Sequence, residues 1–362
     1  MLKYKHKNMI ADFFPPPKYL AMSPVCLDIS DRSIKYIELR NKKDNITVER
    51  FGAYSVPQGL VENGEIKDKE KMVDLLKSIK LKLGSVYVIA SLPEEKAFLS
   101  RIKLPKMEID EMRNSIELQL DEHVPLSAKE AVFDFEVVNY SREDGHADVN
   151  LVAFPKYFVN GYRDLFTEAG FVPIVFEMEA QAFARAIVPR TNDSAIMVID
   201  FGRTRTTFAI VSVGKVHFTT TIKASGEDVK KAIMKNLQVD QFEADGLKRE
   251  EGILNEKADQ KVFVSAMPTI EAIKDEALKQ IYYWDSKNEE GEASEIKKVL
   301  LCGGEASLKG LAEYLGRSIG IKTEIGNPWV NVSSFDKYIP SIEKNVSLLY
   351  STAIGLALRQ FR

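Results

Sequence analysis

Apolar and polar residues alternate early in the chain. Residues 25–28 form a short apolar run, 34–39 (Ile-Lys-Tyr-Ile-Glu-Leu) alternate in twos, and 46–56 alternate again with β-branched and aromatic side chains. Successive strand side chains face opposite sides, so these segments predict one buried strand and two half-buried ones. Polar turns at 30–33 and 41–44 separate them. Between 69 and 83 the period changes. Met72, Val73, Leu75, Leu76 and Ile79 recur at helical spacing, which predicts an amphipathic helix. Residues 86–92 predict a further strand.

A different segment follows. Residues 97–104 predict a strand, and 108–123 an acidic amphipathic helix carrying Ile109, Met112, Ile116 and Leu120, which Pro125 ends. Two strands, 131–140 and 147–154, flank a polar turn at 141–146. A helix over 156–169 stops at Gly170, then come a strand at 171–176 and a short helix at 178–188. The opening pattern now returns. A buried strand at 195–200, a turn at 202–205, strands at 206–213 and 216–222 around Gly214-Lys215, and a helix from Ser225-Gly226 repeat the order of residues 25–83. Both copies end their first strand on an aspartate, Asp28 and Asp200, 200 − 28 = 172 positions apart. Such a repeat predicts two related α/β lobes. Beyond it lie helical sequence over 239–286, an acidic stretch at 288–295, a buried strand at 299–301 running into Gly303-Gly304, a helix near 306–318 and a closing helix over 345–359.

Length agrees with two lobes, because 362 residues exceed one ordinary core. With 45% hydrophobic and 28% charged residues the chain is globular. Its net charge of −3 and the lack of a basic stripe argue against nucleic acid. The longest apolar runs, such as 195–199, fall far short of the roughly 20 residues a membrane span needs. Residues 1–23 start basic, but Asp12 and three prolines interrupt them, so they read as a flexible leader with a polyproline-like Phe13-Phe14-Pro15-Pro16-Pro17. Cys26 and Cys302 sit in apolar runs as reduced core thiols. His6, His123, His146 and His217 have no metal-ligand spacing, and there is no catalytic triad or Walker-type loop.

The chemistry lies in the turns. A tight turn between buried strands aims backbone N–H groups at one spot, which suits phosphate oxygens. A carboxylate at the strand end suits a hydrated Mg²⁺. Asp28 with residues 30–33, and Asp200 with residues 202–206, both meet this pattern. An ordinary capped hairpin meets it equally when taken alone. Cys302-Gly303-Gly304-Glu305 adds a strand-to-helix turn open to a flat ligand.

The order Asp28-Ile29-Ser30-Asp31-Arg32-Ser33-Ile34-Lys35, Asp200-Phe201-Gly202-Arg203-Thr204-Arg205-Thr206 and Cys302-Gly303-Gly304-Glu305 resembles the actin/Hsp70/sugar-kinase superfamily, whose members build two phosphate loops and an adenosine loop from such segments. More narrowly, the chain is similar to the PilM family of cytoplasmic, actin-like type IV pilus assembly proteins. Leu92-Pro93, residues 102–107, the acidic helix running to His123-Val124-Pro125, residues 175–180 and Gly326-Asn327-Pro328 follow that family's order. The resemblance covers nearly everything from residue 24. It implies an actin-like ATPase fold, α/β, whose two lobes each hold a mixed five-stranded sheet, plus a small FtsA-like subdomain of SHS2 type inserted in lobe one. The expected division is leader 1–23, lobe one 24–93 and 166–190 with a closing helix at 345–362, insert 94–165, and lobe two 191–344.

The resemblance also implies an ATP–Mg²⁺ site. Nucleotide-binding residues are then Asp28, Ser30, Asp31, Arg32, Ser33 and Lys35 on the first hairpin, and Asp200, Gly202, Arg203, Thr204, Arg205 and Thr206 on the second. Gly226, Glu227 and Lys231 lie toward the ribose, and Gly303, Gly304 and Glu305 by the base. Asp28 and Asp200 serve the metal. Glu177 and Glu179 are the candidate water-positioning acids for hydrolysis, although helix N-termini favour such acids in any case. Ser30 stands where the family has glycine, so a left-handed backbone there is expected to cost energy. Arg203 and Arg205 are large for a phosphate hairpin but able to pair with phosphate oxygens. The implied partner is the N-terminal cytoplasmic tail of a PilN-like inner-membrane protein, bound in a groove beside the insert, with other platform proteins or self-association as further contacts and the membrane reached only indirectly. The expected role is a nucleotide-binding assembly factor at the inner face of the cytoplasmic membrane. A catalytically active ATPase or small-molecule kinase and an FtsA-like division filament are the alternatives. An FtsA-like chain usually ends in a membrane-targeting amphipathic helix, whereas residues 356–362 read as the last turn of a packed one.

Overall fold

The computed structural model describes residues 24–361 apart from 43–44, 84, 141–144, 255–259, 288–294, 333–335 and 337. The expected leader and most of the acidic 288–295 stretch lie outside the described residues.

In the first lobe, β1 (Val25–Ile29), β2 (Ser33–Lys42) and β3 (Asn45–Ser55) form an antiparallel meander. A short hairpin of β4 (Val61–Glu62) and β5 (Glu65–Ile66) leads to the helix Lys69–Leu83, and β6 (Tyr87–Leu92) joins β1 in parallel. After the insert, β10 (Val172–Met178) pairs in parallel with β6, giving the order β10-β6-β1-β2-β3. The second lobe repeats this. β11 (Ala195–Phe201), β12 (Thr206–Ser212) and β13 (Lys215–Ile222) form the meander, β14 (Ile296–Cys302) and β15 (Thr323–Ile325) add in parallel, and the order is β13-β12-β11-β14-β15. All five residues of β1 are buried, as a central strand covered on both faces requires. The duplication reaches the register: Asp28 lies opposite Lys35, and Asp200 opposite Thr207.

Two helices join the lobes. Glu179–Ile187 leaves the first sheet and packs on β12 and β13, while Ser351–Leu358 leaves the second and packs on β1, β2 and β6. They cross at Gly355, where any Cβ would strike the Ala182 carbonyl. All eight residues of Ser351–Leu358 are buried.

The insert is a three-stranded antiparallel sheet, order β7-β9-β8, built from β7 (Phe98–Pro105), β8 (Ala131–Tyr140) and β9 (His146–Pro155). The expected acidic helix covers it as two pieces, Ile109–Leu118 and Leu120–His123. The insert has its own core, with Ile102, Met112, Ile116, Leu120 and Val149 at its centre. The helix Lys156–Glu168 belongs by packing to the main body, since Phe158, Tyr162, Leu165 and Phe166 join the large core.

Several helix boundaries differ from the periodicity. The 239–286 stretch holds two helices, Gln241–Glu251 and Lys261–Lys287. The helix expected near 306 starts only at Leu311, because Gly310 is left-handed and residues 303–310 wind in turns. The closing helix is broken by a 3₁₀ turn at Leu348–Tyr350. Among the described residues no helix is long and apolar enough to cross a membrane.

Candidate functional site

The turns β1–β2 and β11–β12 face each other across a cleft of about 810 Å³ between the lobes, within the size range of small-molecule sites. It is lined by Asp28, Ser30, Arg32, Ser33 and Lys35 from the first turn and by Asp200, Gly202, Arg203, Thr204 and Arg205 from the second. Gly226 and Glu227 at a helix start, and Gly303, Gly304 and Glu305 after β14, complete it.

The first turn closes without strain. Ser30 donates its backbone N–H to the Ser33 carbonyl (2.9 Å), and its hydroxyl donates to the same oxygen (3.0 Å). Ser30 is not among the left-handed residues; the hydroxyl staples the turn where strain was expected. Asp28 accepts the Ser91 hydroxyl at 2.9 Å and pairs with Lys35 at 3.5 Å. In the second turn the Gly202 N–H donates to the Arg205 carbonyl (2.9 Å). The carbonyls of Gly202 and Arg203 in turn accept the N–H groups of Gly226 and Glu227 (3.1 and 2.9 Å), which locks the helix Gly226–Leu237 behind the hairpin. Gly303, at φ +88°, brings the third turn against the other two. A Cβ there would strike Asp200 Oδ1 and the Phe201 carbonyl.

Asp200 is half-buried and shares the cleft wall with Asp28. Burial first, and the Asp28 charge second, push its carboxyl up to about 6. Two crowded acids in a low-dielectric cleft create a site that a cation relieves. Mg²⁺ keeps several waters, so two carboxylates suffice for it, and the donor set fits. Among the described residues no cluster of three or more ligand-type side chains exists that could hold a bare ion.

The arginines point elsewhere than expected. Arg205, only 12% exposed, crosses to the first lobe: its Nη1 lies 2.7 Å from Glu95 and 3.5 Å from Asp31, and its Nη2 donates to both Glu179 oxygens at 3.1 and 3.2 Å. Arg32 reaches the other way, to Glu227 at 3.4 Å. Arg203 is exposed at the rim. Glu179, buried at the start of its helix, also lines the cleft; burial pushes its carboxyl well up, only partly offset by Arg205. Nearby Glu94 is pushed up to about 7, again by burial, despite accepting the Ala180 N–H at 3.2 Å.

Four expected residues do not line the cleft. Glu177 is turned away: its carboxylate is buried against Arg185 and lies 3.0 Å from Arg359, so it fastens the crossing helices and is not placed to orient a water. Asp31 accepts the backbone N–H groups of Asn63 and Gly64 (3.2 and 3.1 Å) besides its pair with Arg205. Thr206 spends its hydroxyl on the Ala224 carbonyl (2.6 Å). Lys231 points to solvent, 3.9 Å from Glu227, whereas Lys230, one step round the helix, lines the cleft and pairs with Asp245 at 3.7 Å. Periodicity also passed over Asp245, Lys248 and Arg249, which line the far end from the helix Gln241–Glu251; Lys248 pairs there with Glu305 at 2.8 Å. Their i, i+3, i+4 spacing puts them on one helix face, a signal readable in sequence.

Two duplicated five-stranded sheets, crossed helices and an interlobe cleft walled by paired hairpins define an actin-like ATPase fold. The likeness to solved structures agrees. An ethanolamine utilization protein EutJ from Carboxydothermus hydrogenoformans is 16% identical, with a TM-score of 0.53 over 92% of this chain and 89% of that one. MreB5 of Spiroplasma citri bound to AMPPNP is 14% identical, at 0.54 over 93% and 95%. The family model of the type IV pilus assembly protein PilM matches residues 26–361, and the chain belongs to that family. A solved PilM-PilN type IV pilus biogenesis complex is 21% identical, with a TM-score of 0.78 over 94% of this chain and 99% of the solved one.

Proposed function

We propose that this chain is the cytoplasmic, nucleotide-binding component of a type IV pilus inner-membrane assembly platform, holding ATP–Mg²⁺ in the interlobe cleft and the N-terminal tail of a PilN-like protein beside the insert. One observation carries the nucleotide half of the reading: Asp28 and Asp200 line the cleft at matching positions of duplicated hairpins, and loss of hydration first, with the Asp28 charge second, raises Asp200. Lys35 and the turn N–H groups would meet phosphate oxygens, the two aspartates a hydrated Mg²⁺, and the charged face of Gln241–Glu251 the nucleoside end. The metal would neutralise phosphate charge. MreB5 bound to AMPPNP supports a nucleotide in this fold, and the PilM-PilN complex supports a PilN-like partner. A peripheral site at the inner face of the cytoplasmic membrane follows from that partner.

A second reading, slow ATP hydrolysis, has Glu179 in its favour, since it lines the cleft. Its raised carboxyl and its engagement by Arg205 make it a poor base at rest. The test is calorimetric titration of the purified chain with ATP–Mg²⁺, with and without a PilN-like N-terminal peptide. Binding of both, with turnover slower than nucleotide release, is expected. Binding of neither refutes the proposal.

A further inference from the structure

We propose that the seam between the insert and the second lobe is a shear contact tied to the cleft by Arg205, so that an anionic ligand in the cleft loosens the insert. This rests on the nucleotide reading above only for the identity of that ligand.

The insert grows out of lobe one, between β6 and the helix Lys156–Glu168, yet it is seated on lobe two. Asn150 of β9 donates its amide to the Val216 carbonyl of β13 at 2.8 Å. Lys215 donates to the Val137 carbonyl of β8 and lies 3.5 Å from Glu136. Any rotation of one lobe against the other therefore drags the insert across β13.

The seam is incompletely paired. Asn150 Oδ1 and His217 Nδ1 are buried there without a hydrogen-bond partner, and Glu95 Oε2 is another at the root of the insert. Buried polar atoms normally find partners, because an orphaned one forfeits its hydration for nothing. Unpaired polar atoms along this contact leave it other pairings to adopt when the packed elements shift.

Arg205 connects this contact to the cleft. It stands on the second phosphate-type hairpin and lines the cleft, and its closest contact is Glu95, in the turn Glu94–Lys96 at the root of the insert. Asp31 and Glu179 share the same guanidinium. An anion in the cleft competes for that charge, and each share it takes weakens the hold on Glu95. Arg205, unneeded by a phosphate turn, thereby acquires a purpose.

Hydrogen exchange on the full chain tests this. Without nucleotide, Arg205→Lys is expected to speed exchange in 94–105 by about tenfold, the effect of losing one charge-assisted contact, while strand Ala195–Phe201 stays protected. Should that variant fail to fold, Glu95→Gln, which leaves the Asp31 and Glu179 pairs intact, replaces it. With ATP–Mg²⁺ the unaltered protein is expected to speed exchange in the same segment, and the variant to show no further change. Unchanged exchange in 94–105 in the variant overturns the tie. An equal ATP–Mg²⁺ response in both proteins overturns Arg205 as the link. A calorimetric null for ATP instead refutes the nucleotide reading, and is told apart because the first comparison uses no ligand.

Discussion

Asp200→Asn should make the ligand-free protein more stable while destroying its response to ATP–Mg²⁺. An aspartate carboxyl ordinarily titrates at 3.8, and in the fold this one is raised to about 6 by burial and by Asp28. The folded state thus binds the proton more tightly than the unfolded chain. Stability is then highest below about pH 4, falls as pH rises through about 6, and stays low above it. At about 1.4 kcal/mol per pH unit, the ionised carboxylate carries on the order of 3 kcal/mol of unrelieved cost at neutral pH. Asparagine keeps the shape and the polar atoms but never ionises. Thermal unfolding in magnesium-free buffer at pH 7.5 should show the variant several degrees more stable, given roughly 2–4 °C per kcal/mol for units of this size. ATP–Mg²⁺ should raise the melting temperature of the unaltered protein and leave the variant's nearly fixed. A folded variant that melts below its parent at pH 7.5, or one protected equally by ATP–Mg²⁺, would refute the charge-conflict account.

Other outcomes follow from the same geometry. Gly303→Ala combines a left-handed backbone with a collision at Asp200; strain of about 1–3 kcal/mol should weaken ATP binding by about tenfold or more in calorimetry. Glu177→Gln leaves the buried Arg185 without its carboxylate, and breaking such a pair should lower unfolding free energy by about 3 kcal/mol in denaturant melts. Glu94 is raised from 4.5 to about 7, so the protein should lose stability as pH climbs through that window, and Glu94→Gln should flatten the slope between roughly pH 5 and 7.

Much of this architecture was legible in the chain because strands announce themselves by a two-residue period. The meanders follow from it, and the aspartates that end their first strands stand out against it, whereas the five-stranded order β10-β6-β1-β2-β3 that recurs in lobe two is legible only through the resemblance. What stayed hidden depends on distance in sequence. Glu177 reads as a catalytic candidate because nothing in the sequence shows that its carboxylate is turned onto Arg185, eight positions on, and onto Arg359, 182 positions on. Arg205 looked like a phosphate ligand because the three carboxylates that claim it come from separate segments. Lys231 rests on the resemblance alone, and one residue along a helix is about 100° of rotation, enough to put Lys230 on the cleft and Lys231 in solvent.

The crossing at Gly355 has a mechanical consequence. Where the two connecting helices meet, backbone touches backbone, with the space a side chain would fill taken by the Ala182 carbonyl. Side chains at a helix crossing hold two backbones apart and can change rotamer as helices shift. This crossing has none at its centre. It permits twisting about a point and resists sliding, as a rivet does between two blades. Gly355 therefore marks the point about which a relative rotation of the two lobes would turn.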